Sequence, residues 1–225
     1  MKPKVSFVVP VYDGDAYLAE TLESIRNQSL KDIEIIVIDD CSPDFTPELM
    51  EWYIKQDVRI KYHRFEHNKG VQEARNFGNQ LAESDLICVC DHDDLCTKHR
   101  ALYSYHYMNH RPEIDCLTSN YWELNVDGQQ INHFYDVPIM TRELFKNNGY
   151  VWFHSSACYR KKDILELPYR MVDGETDDYT FLDDWTKAGK KFKTVKKVLA
   201  NCRRTPWSVM QYRRKMQGLE PSYYL

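Results

Sequence analysis

The chain has 225 residues and a hydrophobic content of 43%, which is enough to bury a substantial core in one domain without disulfide bonds. Its formal charge of -4 gives no electrostatic reason to expect a nucleic-acid partner, and no apolar run has the length of a membrane span. The seven cysteines include no C-x-x-C pair, which argues against a disulfide framework and fits a reducing compartment. We therefore expect a soluble cytoplasmic protein with at most peripheral membrane contact.

In the first half of the chain, β-branched runs alternate with amphipathic segments. The predicted strands are Val5 to Val9, Ile33 to Ile38, Ile60 to Phe65 and Leu86 to Cys90, and the predicted helices are Ala16 to Gln28, Thr46 to Gln56 and Gly70 to Ala82. Asp15 is placed to cap the first helix, and the third helix is predicted to bury Val71, Ala74, Phe77 and Leu81. Repeated strand-helix units of this kind predict an α/β fold with a mostly parallel sheet.

The second half is less regular. Asp127-Gly128 is a hairpin turn signal. The predicted strands are Asp115 to Leu124, Gln130 to Tyr135 and Phe192 to Val198, and the predicted helices are Leu102 to His110, Thr141 to Asn147 and Asp178 to Ala188. We expect a single domain over residues 1–225, made of a regular half (1–111) and a mixed half (112–225).

The strand Leu86 to Cys90 ends in Asp91-His92-Asp93-Asp94, which places three carboxylates at the edge where open α/β sheets bind ligands. Hard oxygen ligands suit Mg²⁺ or Mn²⁺, and these ions usually take further oxygens from a phosphorylated substrate. The segment therefore predicts metal-assisted chemistry on a nucleotide or phosphate ester. The alternative is an acidic turn that caps the next helix.

A zinc site is a second alternative for this region, because cysteines and histidines surround the acidic segment. The candidate ligands are Cys88, Cys90, His92, Cys96 and His99. Strand alternation puts Cys88 and Cys90 on one face of an apolar run, where thiols are ordinary core residues. We therefore favour core thiols over structural zinc.

Four segments in this order resemble the family-two glycosyltransferases of the GT-A fold, an inverting group that uses nucleotide-diphosphate sugars. They are Val5 to Asp13, Ile35 to Ser42, Asn68 to Asn76 and the acidic segment. The resemblance implies a GT-A fold, with a mostly parallel central sheet flanked by helices and a mixed acceptor half. It also implies that residues 1–111 bind a nucleotide-diphospho-sugar donor and that residues 112–225 bind the acceptor.

The resemblance implies that Pro10, Tyr12 and Asp13 contact the nucleotide, and that Asp39 and Asp40 reach its base. A carboxylate that accepts a hydrogen bond from a uracil N–H is chemically sensible. The alternatives are that Tyr12 covers the edge of the core and that the two aspartates form a helix-capping turn.

Further along the chain, the resemblance adds Gly70, Arg75, Asp91 and His92 to the donor site. A guanidinium such as that of Arg75 matches phosphate oxygens, although it can also be a solvated helix charge. By the same likeness Asp93 binds Mn²⁺ or Mg²⁺ directly, while Asp91 meets the sugar or ribose or joins the metal shell.

An inverting transfer also needs a base, and the resemblance implies one in the acidic pair that opens a late helix. We assign Asp178 as the base and Asp177 as its neighbour. Acidic residues favour helix N-termini for structural reasons as well, and Glu175 and Asp183 are the fallback candidates. His154 either orients the acceptor or is a core histidine.

The C-terminal segment departs from the family pattern. Many relatives place a histidine near Thr205 to help bind metal or diphosphate, and threonine is a poor substitute. Either Arg203 or Arg204 holds the diphosphate instead, or a water completes the metal shell. Residues Arg213-Arg214-Lys215 predict a solvated helix face or a weak contact with anionic lipid.

The predicted function is a metal-dependent inverting glycosyltransferase that moves a sugar, most simply from a UDP-sugar, to a hydroxyl of a glycan or lipid-linked acceptor. One alternative is a nucleotidyltransferase, but Val9 to Gly14 lacks the Gly-rich, lysine-bearing loop expected there. Another is a catalytically silent nucleotide-sugar-binding module, which the missing histidine favours and the presence of Asp93 and Asp178 disfavours.

Overall fold

The computed structural model describes residues 2–124, 130–133, 139, 142–144, 153–172 and 177–203. The strands are β1 (Val5–Val11), β2 (Ile33–Asp39), β3 (Ile60–Arg64), β4 (Leu86–Val89), β5 (Leu95–Cys96), β6 (Cys116–Leu124), β7 (Gln130–His133), β8 (Cys158–Arg160) and β9 (Phe192–Arg203). The helices are α1 (Leu18–Arg26), α2 (Thr46–Gln56), α3 (Val71–Leu81), α4 (Arg100–His110), α5 (Lys161–Glu166) and α6 (Asp177–Lys187), with a 3₁₀ turn at His154–Ser156.

Within this described part, all strands belong to one sheet in the order β3-β2-β1-β4-β8-β6-β9-β5, and β7 pairs with β6. Strands β3, β2, β1 and β4 are parallel, as the alternating pattern predicts. Strand β8 is antiparallel to β4 and to β6, so it joins the parallel half to the mixed half. The carboxyl ends of β1, β2 and β4 therefore lie side by side, and the candidate donor residues follow these three ends.

The sheet is buried on both faces, which explains why its parallel strands are continuous apolar runs. Alternate residues of β1 point to different clusters, with Phe7 on one face and Val8 on the other. Helices α1, α2 and α4 cover the first face, and α3 and α6 cover the second. Cys88 and Cys90 both lie in the cluster of Phe7, which confirms that they share a face.

Two predictions about helix ends are wrong. Helix α1 begins at Leu18 without a side-chain cap, and the Asp15 amide donates to the Asp44 carboxylate instead. The turn that leads into the helix starts at Gly14, whose carbonyl accepts hydrogen bonds from the amides of Tyr17 and Leu18. In α3 the first residue, Val71, is 37% exposed, since it lies before the turn that packs on the sheet.

The remaining predicted residues of α3 behave as expected, because Ala74 is buried while Phe77 and Leu81 pack against the same cluster. Strand β9 continues to Arg203, beyond its predicted end at Val198, since it pairs along β6 and with β5.

The elements β5, β8 and α5 were not predicted because each is too short to show a period. Strands β6 and β7 pair antiparallel, as a hairpin requires, although Asp127-Gly128 itself lies outside the described residues. Residues 142–144 are helical within the predicted Thr141 to Asn147 segment, the rest of which also lies outside. Across the described ranges, no helix combines the length and apolarity needed to cross a membrane.

Candidate active site

The end of β1 provides an exposed surface at the carboxyl edge of the sheet. Pro10 is buried and pairs with Ile38 of β2. Proline has no N–H, but no sheet hydrogen bond is lost at this position. By strand alternation the Pro10 nitrogen faces β4, and it lies beyond Val89, the last residue of β4 that pairs with β1. Tyr12, 47% exposed, and the exposed Asp13 follow, and Asp13 has a left-handed backbone with φ of 56°. A ligand at this edge would therefore meet an aromatic ring and a carboxylate.

The two aspartates at the end of β2 bind protein groups. The carboxylate of Asp39 is fully buried and accepts hydrogen bonds from the Ser42 amide (2.7 Å) and the Tyr62 hydroxyl (2.6 Å). The carboxylate of Asp40 accepts from the amides of Lys69 (2.6 Å) and Gly70 (2.8 Å). Asp39 therefore stabilises the turn after β2, although it does not cap α2, which has no side-chain cap.

Gly70 leads the chain from this loop into α3. Its φ of 92° lies in the region that glycine tolerates, and its amide binds Asp40 while its carbonyl accepts from Ala74. Asp40 therefore fixes where α3 begins, and through α3 the position of Arg75. We expect its effect on a nucleotide base to be at least partly indirect.

The acidic segment and α3 meet in a buried ion pair. Arg75, 5% exposed, donates to the Asp91 carboxylate at 2.6 Å, and its guanidinium carbon lies 5.6 Å from the centre of the Tyr169 ring. Although burial alone would raise it, the pKa of Asp91 is lowered because Arg75 stabilises the charged carboxylate. Arg75 is therefore not a solvated helix charge, and it holds Asp91 in the ionised form.

The other two carboxylates of the segment differ in exposure. Asp93 is half-buried, and burial together with the charge of Asp91 raises its pKa. Asp94 is buried and accepts a hydrogen bond from the Arg203 amide at 2.9 Å, and burial together with Asp93 and Asp91 raises its pKa well above the ordinary range. Asp94 thus supports the loop from inside, whereas Asp93 faces the surface.

Asp178, the predicted base, is the second residue of α6 and belongs to the same electrostatic cluster. Burial raises the pKa of Asp178, the guanidinium of Arg75 opposes that shift, and Asp91 adds to it. The three side chains are therefore close enough to affect one another's protonation. Asp177 forms the first residue of α6.

The alternative bases are less suitable. Asp183 pairs with Arg142 and Lys187, and although burial opposes the shift, these cations lower the pKa of its carboxylate and so make it a weak base. Glu175 lies outside the described residues.

His154 is a core histidine rather than an exposed acceptor group. Its Nε2 lies 2.7 Å from the hydroxyl of buried Tyr169, and burial and the Arg75 charge lower the pKa of His154 to about 3. It is therefore neutral at physiological pH and cannot act as a cationic ligand for a substrate.

The acidic segment is also held by residues that sequence reasoning missed. The Ser155 hydroxyl accepts from the Asp91 amide at 3.0 Å, and the Thr21 hydroxyl donates to the His92 carbonyl at 2.7 Å. The His92 ring packs beside Gly14, where an added Cβ would lie 3.3 Å from its Cδ2. A serine or threonine hydroxyl gives no recognisable sequence signal for such a role, because its partners are backbone groups that only the fold brings near.

The cysteines near the acidic segment lie close to a buried arginine, Arg100. The sulfurs of Cys90 and Cys96 lie 3.6 Å apart, and buried Arg100 donates to Cys96 at 3.2 Å and to the Val89 carbonyl at 2.5 Å. His99 is exposed and contacts Ser29. A guanidinium on these thiols repels a second cation, so the arrangement favours core thiols over zinc.

A hard divalent cation fits the acidic segment only with help from a substrate. Among the described residues, no three His, Cys, Asp or Glu side chains converge on a common metal position. Asp93 nevertheless carries a carboxylate whose repulsion with Asp91 a cation would relieve. Mg²⁺ or Mn²⁺ that binds together with a phosphorylated ligand typically takes few oxygens from the protein and further oxygens from that ligand.

Comparison with known proteins decides the family. The model of the family described as "Glycosyl transferase family 2" matches residues 6–166, which include β1, the acidic segment and β8. The chain belongs to glycosyl transferase family 2. It is 31% identical over 166 residues to the glycosyltransferase GlyG of Streptococcus pneumoniae, a match that covers 70% of this chain and 54% of GlyG. This family member spans about half the length of several curated relatives.

Solved structures agree on the fold. TarS of S. aureus in complex with UDP superposes with a TM-score of 0.72 at 20% identity, covering 90% of this chain and 61% of TarS. The mannosyltransferase PcManGT of Pyrobaculum calidifontis, solved with GDP-Man and Mn²⁺, gives a TM-score of 0.72 at 14% identity, covering 97% of this chain and 61% of that one. The family-two chain therefore has the GT-A fold that its motifs predict.

Proposed function

We propose that this chain is a metal-dependent inverting glycosyltransferase of the hexosyltransferase type. It moves a sugar from a nucleotide-diphospho-sugar, which we take to be a UDP-sugar, to a hydroxyl of a glycan or lipid-linked acceptor during polysaccharide synthesis. The seven free cysteines suit a reducing compartment, so the proposal places the reaction in the cytoplasm.

The observation that carries the proposal is the position of Arg75 between two acids with different tasks. Arg75 pairs with Asp91 of the acidic segment, and its charge also reaches Asp178 at the start of α6. Asp91 is the link between the two acids, because its charge acts both on Asp93 and on Asp178, which comes from a distant part of the chain. A displacement at a sugar carbon needs two groups of this kind, one near the leaving group and one near the incoming hydroxyl.

The residues divide the reaction between them. Asp93 would hold a divalent cation, which would neutralise charge on the departing diphosphate. Asp178 accepts the proton of the acceptor hydroxyl while that oxygen forms a bond to the anomeric carbon. The bond from this carbon to the diphosphate oxygen breaks, its electron pair leaves with the nucleotide diphosphate, and the configuration inverts.

Burial suits Asp178 to the role of base. A carboxylate with an ordinary pKa is weakly basic, and burial together with the charge of Asp91 raises the pKa of Asp178 toward the working range of a general base. Arg75 opposes this rise and so favours the ionised carboxylate that a base needs. The same guanidinium lowers the pKa of Asp91.

The exposed donor edge suits a nucleotide without selecting its base. Tyr12 offers a ring face to a base and Asp13 offers a carboxylate to ribose hydroxyls. TarS was solved with UDP and PcManGT with GDP-Man, so the fold accepts both a pyrimidine and a purine. The proposal of uridine for this chain rests on the family resemblance.

Thermal shift with a panel of nucleotide diphosphates, each with and without Mn²⁺, tests the proposal. A ligand that binds only the folded state raises the melting temperature according to its occupancy. We expect UDP with Mn²⁺ to give the largest shift, and Asp93→Asn to remove the metal-dependent part of it. A larger shift with GDP would correct the nucleotide class. The absence of any metal-dependent shift would contradict the metal role.

A further inference from the structure

We infer that Arg203 is a positioning residue for Asp93 rather than a ligand of the diphosphate. This inference rests on the proposed function, since it concerns how the metal-binding carboxylate is held. We use the name Arg203 clasp for the contacts of Arg203 with Tyr17 and Glu20 of α1 and with Asp93 and Asp94 of the acidic segment.

The backbone of β9 brings Arg203 to the acidic segment. Strand β9 pairs with β5, so that Ala200 lies opposite Cys96 and Asn201 opposite Leu95. Because β5 directly follows the acidic segment, the last residue of β9 lies beside that segment. The Arg203 amide donates to the Asp94 carboxylate at 2.9 Å, which ties the two ends together independently of the arginine side chain.

The side chain of Arg203 makes three further contacts. Its Nε donates to the carbonyl of Asp93 at 3.2 Å, and its terminal nitrogen donates to the Glu20 carboxylate at 2.5 Å. The guanidinium lies over the Tyr17 ring, 4.8 Å from its centre. A guanidinium that is stacked on a ring and bonded in two directions has a fixed orientation. Turning it toward a diphosphate would break all three contacts.

The clasp complements the contacts on the other side of the segment. Thr21, next to Glu20 on α1, holds the His92 carbonyl, and Arg75 holds the Asp91 carboxylate. Arg203 binds the carbonyl of Asp93, which lies between His92 and Asp94 in the segment. The Asp93 carboxylate, by contrast, forms no hydrogen bond or ion pair with another described side chain. The segment is thus anchored around the one carboxylate that a cation would use, as residues behind a metal ligand usually are.

The test uses Arg203→Ala and Glu20→Ala, with measurements of UDP binding in a Mn²⁺ titration. Arg26 offers a matched control, because it also pairs with a glutamate of α1, Glu23, and lies over a tyrosine ring, but at the opposite end of the helix. We expect Arg203→Ala to weaken the apparent Mn²⁺ affinity about tenfold and Glu20→Ala to weaken it less. Arg26→Ala and Glu23→Ala should leave it unchanged.

The double variant separates the two roles of Arg203. If Glu20 acts through Arg203, the double variant Glu20→Ala/Arg203→Ala binds Mn²⁺ no more weakly than Arg203→Ala alone. If Arg203 instead binds diphosphate, Arg203→Ala weakens UDP binding without metal, while Glu20→Ala leaves it unchanged or strengthens it by releasing the guanidinium. That second pattern would overturn the inference.

Hydrogen exchange of the ligand-free protein gives a readout that does not depend on any activity. Loss of the clasp should raise the exchange of backbone amides at residues 91–95 in Arg203→Ala but not in Arg26→Ala. Unchanged exchange in Arg203→Ala would refute the clasp. If the clasp protects these amides in the wild-type protein but the protein binds no nucleotide with Mn²⁺, the proposed function is refuted and the clasp is not.

Discussion

Arg75 is the residue on which the charges of the candidate site depend. Its guanidinium is buried, yet the carboxylate of Asp91 more than offsets that burial and raises the pKa of Arg75 above its ordinary value. The same cation lowers the pKa of Asp91 and opposes the rise at Asp178. A change at this one position should therefore alter the protonation of both acids.

The first prediction concerns the pH dependence of sugar transfer. Asp178 acts when it is deprotonated, so the rate should fall as pH decreases through its raised pKa. Arg75→Gln removes the charge that limits this rise, and the acidic limb of the pH–rate profile should therefore move to higher pH. The measurement is kcat/KM for the donor from pH 4 to pH 8, with Arg59→Gln as a distant control. A limb that stays in place in Arg75→Gln would show that Asp178 is not the base.

The second prediction concerns His154 and stability. In the folded protein its pKa is about 3, whereas an exposed histidine in the unfolded chain titrates near ~6.5. Below that pH the unfolded chain binds a proton that the folded protein does not. The free energy of unfolding that neutral His154 contributes is therefore fully present above about pH 6.5 and is lost as pH falls.

Compared with His154→Gln, the wild-type protein should lose roughly 1.4 kcal/mol of unfolding free energy for each pH unit below about 6. Urea unfolding at several pH values measures the difference in slope, and the exposed His106 provides the control substitution His106→Gln. Equal slopes for wild type and His154→Gln would mean that His154 is not buried in its neutral form.

At the scale of elements, helix α1 serves the site through a polar stripe. Thr21 donates to the His92 carbonyl and Ser24 accepts from the Cys96 amide, while Gln28, which follows the end of the helix at Arg26, donates to the Thr97 carbonyl. Thr21 and Ser24 lie three residues apart on the helix, beside the apolar stripe of Leu18, Leu22 and Ile25 that faces the core. The helix thus uses one stripe for stability and the next to hold the acidic segment and β5.

Helix α3 depends on a close approach to the sheet, which gives the third prediction. A Cβ added at Gly78 would lie 2.5 Å from Val8 Cγ1 and 3.3 Å from Ile38 Cγ1. Gly78→Ala should therefore destabilise the protein by about 1–3 kcal/mol, although alanine is the better helix former.

Chemical denaturation measures this effect, and Gln80→Ala on the exposed side of the same helix is the control. Adding Val8→Ala should relieve part of the strain, so that the double variant loses less stability than the sum of the two single ones. A strictly additive result would show that the two groups do not compete for space.

The sequence was sufficient for the regular half of the fold and not for the mixed half. Strands β1, β2 and β4 were predicted because each is a continuous apolar run, and β3 because it follows a helix in the repeated strand-helix order. The acidic segment was noticed because it ends one of these runs. Strand β8 has only three residues, so its place beside β4 depends on long-range pairing that local patterns do not contain. The pairing of Arg75 with Asp91 and the burial of His154 depend on the same tertiary contacts.

At the scale of the molecule, the fold brings residues from distant segments to one edge of the sheet. The parallel half carries Tyr12, Asp13 and the acidic segment at its carboxyl edge. The mixed half returns through β8 and β9, and α6 adds Asp178 from the far end of the chain. The residues that we propose for the donor site and for the base therefore come from both halves of the chain.

The central claim is that Asp178 removes a proton but does not hold the donor. The most direct measurement compares Asp178→Asn with the wild type, recording UDP affinity in Mn²⁺ beside the rate of sugar transfer from a UDP-sugar. We predict unchanged affinity and a rate at least ~100-fold lower, because the amide cannot accept the proton. A variant that transfers sugar at the wild-type rate, or one that loses UDP binding together with turnover, would contradict the account.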